Sequence, residues 1–293
     1  TVLARQGKAE QALETGMVAI RMSEAAREPI LMAVLARYGI IQSGVESIEN
    51  ALSNGEISAG TCREAAREIG EIDLREGFAR AMKGERAFWS SVMDQARLSE
   101  DPMSEIRAVS GYGDTRGGGS PIFPRLLTKW IARYRMAQDE LIYLEWMDKV
   151  VRQADLPYRE VAGGEDFDAF ISRKIEQGYY PVMSATMVPA YKNAHRLRDR
   201  TIARLDLAQI GLLLKAYHAE RGQYPESLEE LAQYMQEELP DDPFSGDSYI
   251  YERQDGGFLV YSIGPNLEDD GGIPTPRRVP ETQAGDIVFR CGN

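Results

Sequence analysis

General acid–base work needs an imidazole, or a pair of carboxylates, held in a pocket. The chain has two histidines, His195 and His218, and both fall on one predicted helix, 23 positions apart. At about 3.6 residues per turn they stand roughly six turns apart, too far to serve one reacting atom. They read as exposed or helix-capping histidines. Asp139, Glu140 and Glu145 could offer carboxylates to a metal from one helix. A dinuclear bundle site also needs Glu-x-x-His, which the chain lacks, so a solvated acidic face is expected there. Glu85 is the acid set beside large aromatics, Phe88 and Trp89, and an ion pair with Arg86 or solvent exposure accounts for it as well as catalysis does. The signatures of serine hydrolases, zinc proteases, β-lactamases and kinases are missing. No catalytic residue, and no enzyme, is expected.

Gly111, Gly113, Gly117, Gly118 and Gly119 invite comparison with phosphate loops. A phosphate loop needs Lys-Ser or Lys-Thr directly after its last glycine, at the mouth of a helix. Ser120 and Pro121 stand there instead. The neighbourhood also lacks the alternating strands and helices of a dinucleotide fold. The stretch reads as a flexible connector. Trp89, Trp130, Tyr134, Tyr143 and Trp146 could line a ligand groove, but at helical spacing they read first as core. Cys62 and Cys291 form no metal motif. Sequence distance leaves a disulfide between them open, and they read as two buried or idle thiols.

A net charge of −12 argues against a nucleic-acid surface, which needs clustered Lys and Arg. The densest basic stretch, Arg196, Arg198, Arg200 and Arg204, is interrupted by Asp199 and Asp206. It reads as the solvated face of a helix. The 293 residues suffice for one large domain or two ordinary ones. The chain begins with Thr1, so it looks trimmed, and a leader or anchor would be the first part removed.

The elements that must position these residues are mostly helical. Apolar spacing predicts helices over 9–25, 29–52, 59–69 and 74–98, with Ser58 as an N-cap. Short polar turns between them imply antiparallel hairpins. Further helices are predicted over 124–153, 166–177, 189–221 and 227–236. The period then changes to that of strands, over 248–253, 258–262 and 286–289, with a hairpin turn at Asp255, Gly256 and Gly257. The expected class is α+β. A helical hairpin domain fills 1–110, a Gly-rich connector 111–123 and further helices 124–188, before an α+β domain at 189–293.

Four segments of that last domain resemble one family. Leu212 to Pro225, ending Gly222-Gln223-Tyr224-Pro225, is similar to the end of a pseudopilin's long helix and its turn. Leu239-Pro240-Asp241-Asp242-Pro243-Phe244-Ser245-Gly246 is similar to the family's "LPxDPWGxP" segment. Phe258 to Asn266 resembles "FxxYSLGADG", and Gly285-Asp286-Ile287 the closing "ADI". The four occur in family order and resemble the soluble domain of the type II secretion major pseudopilin, the G-type protein of the general secretion pathway. The whole arrangement resembles uncharacterised envelope proteins of planctomycete-like bacteria, where a membrane anchor precedes helical hairpins and a pseudopilin-like tail.

The resemblance implies a long helix packed on a small antiparallel sheet. It also implies a calcium ion in the loop after the second hairpin strand, with Asn266, Asp269, Asp270 and Asp286 at matching or intervening positions. Oxygen ligands of these types suit calcium. Here Asn266 replaces an Asp, and 273–284 is an insertion with three prolines. The function expected is that of a non-enzymatic, extracytoplasmic or periplasmic envelope protein, membrane-anchored at full length, with protein partners in the envelope. The alternative is a ligand- or sugar-binding protein, or an enzyme, using a groove in the helical domain.

Overall fold

The computed structural model describes residues 2–26, 28–99, 125–165, 167–179, 189–274 and 285–292. The fold is α+β, a mostly helical chain closed by a small antiparallel sheet. A short helix, α1 (Val2–Arg5), leads into α2 (Ala9–Ser23), α3 (Leu31–Asn54), α4 (Ala59–Gly70) and α5 (Arg75–Leu98). Then come α6 (Arg125–Gln153), α7 (Tyr158–Val161), α8 (Phe167–Glu176), α9 (Pro189–Arg221) and α10 (Leu228–Met235). The stretch 111–123, read as a connector, lies outside the described residues, as do the side chains at Leu127, Trp130 and Ile131.

Caps fix several helix starts. The Ser58 hydroxyl accepts from the Thr61 N–H at 3.2 Å, as its sequence position predicts. Asp73 Oδ1 accepts from the Arg75 and Glu76 amides at 2.7 and 3.2 Å and so opens α5. Ser227 does the same for α10 through the Glu230 N–H, at 3.3 Å. Two small residues let α2 and α3 approach closely. A Cβ built on Gly16 would lie 2.8 Å from the Gly44 carbonyl oxygen, so neither position tolerates a side chain without a shift.

The sheet has the order β1-β2-β3, with β1 at Ile250–Gln254, β2 at Gly257–Ser262 and β3 at Ile287–Cys291. Tyr251 pairs with Val260, and Val260 with Phe289. Gly256, at φ +77°, makes the tight turn between the first two strands. The outer edge of β3 is covered by α3. Glu49 accepts from the Arg290 N–H at 3.4 Å, and the Ser53 hydroxyl donates to the Arg290 carbonyl at 3.3 Å.

Helix α9 is the spine. Leu205, Ala208, Leu212 and Ala216 on one stripe, and Ile210, Leu213 and Leu214 beside it, are all buried. Helices α3 and α4 pack on it, and so do β2 and β3. The β3 approach is tight at Gly211, where a Cβ would lie 2.5 Å from the Phe289 ring. Each buried Leu or Ile contributes about 1.5–3 kcal/mol relative to an exposed one. One hydrophobic core runs without a break from α2 through α9 to the sheet.

The basic stretch on α9 departs from expectation. Arg198 is fully buried, not solvated. Its Nε binds Asp199 Oδ1 at 2.6 Å, and its two terminal nitrogens donate to the carbonyls of Ala154 and Leu156. Asp199, also fully buried, accepts from the Tyr158 N–H at 2.5 Å. The pair therefore ties off the C-terminal end of α6 and the start of α7, which are backbone groups that a helix cannot satisfy itself. Charge counting missed this because it cannot tell which Arg meets a helix end.

Candidate functional groove and acidic loop

The acids and histidines singled out for chemistry are mostly spent on structure. Glu85 is buried and accepts from the Leu31 N–H at 2.6 Å, capping α3 from across the bundle. Glu140 is buried as well, paired with Arg97 and bonded by the Ser90 hydroxyl at 3.2 Å. Asp139 is also buried, so the solvated acidic face expected on α6 survives only at Glu145, which meets Lys174 at 2.5 Å. Trp89, Tyr143 and Trp146 are core residues, as their spacing predicts, whereas Tyr134 is exposed.

His195 is a capping histidine. Its Nε2 lies 2.8 Å from the Leu156 carbonyl, an acceptor only, so that nitrogen carries the proton. Burial, and then the charge of Arg198, hold its pKa down at about 4, so the ring is neutral at pH 7. It lines a small cavity of about 60 Å³ with Trp146 and Tyr158. His218 lies far along the same helix, stacked on Tyr224 at 4.5 Å. Cys62 and Cys291 are buried, free thiols.

The four loop residues implied by the resemblance come together. Asn266 Nδ2 donates to Asp270 Oδ2 at 2.8 Å. Asp286 is buried, and its two oxygens accept from the amides of Asp270 and Gly272 at 3.3 and 2.7 Å. Asp269 Oδ1 accepts from the Gly271 N–H at 2.9 Å and from the Tyr261 hydroxyl at 3.3 Å. Burial pushes the Asp286 pKa up, and the nearby Asp270 and Asp269 carboxylates add to the rise. The donor types suit a hard cation. Both Asp286 oxygens and one oxygen each of Asp269 and Asp270 accept hydrogen bonds from amide, hydroxyl or side-chain donors. Among the described residues no three His, Cys, Asp or Glu side chains gather to hold a metal.

A larger feature lies where the helical part meets the tail. A groove of about 460 Å³ runs between the α4–α5 turn and the loop at 240–246, with Arg75, Arg159, Ile202, Asp206 and Asp241 among its lining residues. Its tail wall is braced by hydrogen bonds. Asp242, buried behind it, takes the Phe244 amide at 3.0 Å, the Ser262 hydroxyl at 2.8 Å and the Ile263 amide at 3.2 Å. Arg159 donates to the Pro243 carbonyl at 3.0 Å and lies across Gly246, where a Cβ would come within 2.9 Å of the guanidinium.

The floor comes from α9. Asp206 keeps some surface in the groove yet is closely surrounded by protein, and the Tyr249 hydroxyl donates to its Oδ2 at 2.8 Å. Burial raises its pKa to about 7, against the opposing effects of the Tyr249 hydrogen bond and the Arg75 charge. A cleft carboxyl shifted this far is a recognised mark of a functional site. Sequence reading took Asp206 only as an interruption in a basic run. Its signal was its helical spacing, four positions after Ile202 and three before Gln209, which sets it beside the core stripe. Compared with protein-family models, curated proteins and solved structures, the chain finds no match.

Proposed function

We propose that this chain is a non-enzymatic protein of the cell envelope, in which the pseudopilin-like unit serves as the packing core for a helical scaffold. The observation that carries this reading is the enclosure of α9, with α3 and α4 on one side and the sheet on the other. A filament subunit keeps a long-helix face for its neighbours, whereas here that face is covered from within the chain. The structural engagement of Glu85, Glu140 and His195 also supports a non-catalytic role. Its partners are other envelope proteins.

Fractionation of cells producing the full-length gene product tests the compartment, with recovery in the envelope expected and recovery in the cytosol overturning it. Separate production of 189–293 tests the packing role. That fragment exposes the α9 face that α3 and α4 cover, so it is expected not to fold alone. A cooperative, well-dispersed 189–293 fragment overturns the reading. Calcium in the acidic loop is a further part of the proposal, supported by the crowding of Asp269 and Asp270 around Asp286.

A further inference from the structure

We propose that the groove between the α4–α5 turn and the 240–246 loop binds a small zwitterion, an amino acid or the end of a short peptide. Its ammonium group sits at Asp206 and its carboxylate at Arg75. The size fits, since pockets for small ligands run from about 300 to 1,000 Å³ and this groove has about 460 Å³.

The charges fit as well. Among the described residues Arg75 makes no ion pair, and the side chain of Asp241 makes no hydrogen bond. Asp206 gives one oxygen to Tyr249, and no hydrogen bond is formed by the other among the described residues. The groove thus presents on one wall a guanidinium that makes no ion pair and acts on Asp206 only through its charge, and on the floor and the far wall carboxyl oxygens with hydrogen-bonding capacity left. A guanidinium fork matches a carboxylate in two parallel hydrogen bonds. A primary ammonium supplies three donors to carboxylates. Ile202 gives an apolar surface for a short side chain. No aromatic ring lines the groove among the described residues, so a stacking face for a sugar is lacking.

Asp206 gives the proposal a distinctive readout. The groups that act on it are Tyr249 beside β1, Arg75 at the start of α5, Asp242 in the loop and Asp199 on α9 itself. An ammonium arriving at Asp206 favours the charged carboxylate and expels its proton below neutrality. The test is isothermal titration of the intact chain at about pH 6 with glycylglycine, lysine and glutamate, and with ethylamine, acetate and glucose as comparisons.

The expected result is that zwitterions bind at least about tenfold more tightly than the single-charge compounds and glucose. Their apparent enthalpy follows the ionisation enthalpy of the buffer, reporting proton release. Asp206→Asn keeps an acceptor for Tyr249 and abolishes that proton release. Arg75→Gln weakens binding about tenfold without moving the unfolding midpoint. If Asp206→Asn does not fold, the exposed Arg75 variant still decides. No heat from any zwitterion up to about 10 mM overturns the proposal. So does equal binding of ethylamine and glycylglycine, or unchanged binding in Arg75→Gln. The scaffold reading does not depend on this outcome, because its own test reads folding of the 189–293 fragment.

Discussion

Replacing Arg198 by Met removes a fully buried cation of nearly the same length and leaves Asp199 charged in the core. Asp199 keeps the Tyr158 N–H but loses the 2.6 Å contact that balances it. The Leu156 carbonyl retains His195 as a donor, whereas the Ala154 carbonyl loses the donor that Arg198 supplies. Breaking a buried pair from one side costs about 3–5 kcal/mol. For a chain of this size each kcal/mol moves the midpoint by roughly 2–4 °C, so Arg198→Met should unfold about 10 °C below the wild type. Thermal and urea unfolding followed by circular dichroism supply the measurement. Arg200→Met, two positions along, is expected to stay within about 0.5 kcal/mol. Asp199→Asn added to Arg198→Met should recover part of the loss by removing the stranded charge. If Arg198→Met unfolds within about 1 kcal/mol of the wild type, the Arg198–Asp199 pair is not the tie proposed here.

Asp206 contributes stability that is full below its unfolded pKa of 3.8 and is lost as pH rises through about 7. Asp206→Asn should therefore gain stability over the wild type as pH goes from about 4 to about 8, and a pH-independent difference would deny that the carboxyl titrates late. Millimolar calcium should raise the unfolding midpoint, and Asp269→Asn with Asp270→Asn should remove that rise while stabilising the calcium-free chain; an unchanged midpoint reduces the loop to a hydrogen-bonded turn. A Cβ on Gly84 would sit 1.7 Å from the Pro29 carbonyl oxygen, so Gly84→Ala should cost about 3 kcal/mol or more in urea unfolding. Glu85→Ala strips the acceptor from the Leu31 N–H and should cost about 1–3 kcal/mol, with Glu85→Gln milder in the same assay.

Periodicity made the elements legible. The stripe from Ile202 to Ala216 announces a long helix because a core face must repeat every turn, and α9 runs from Pro189 to Arg221 as the pattern predicts. Ser58 and the Gly256 turn were legible because capping and positive φ are local demands. What one element does to another was not. Arg198 looks like any surface Arg until α6 ends against it. Glu140 looks solvated until Arg97 and Ser90 arrive from α5. The groove eluded sequence reading for the same reason. Its two walls, Arg75 and Asp241, are 166 positions apart (241 − 75), and only packing on α9 brings them face to face.

The late position of the spine has a consequence for synthesis. From Gly70, where α4 ends, to Ile202 on α9 is 132 positions (202 − 70). At about 5–20 residues per second the ribosome needs roughly 7–26 seconds to cover that distance. Throughout that interval α3 has α2 to pack on, but the faces of α3 and α4 that α9 covers have been made before α9. A premature stop before α9 would release α3 and α4 with those faces uncovered.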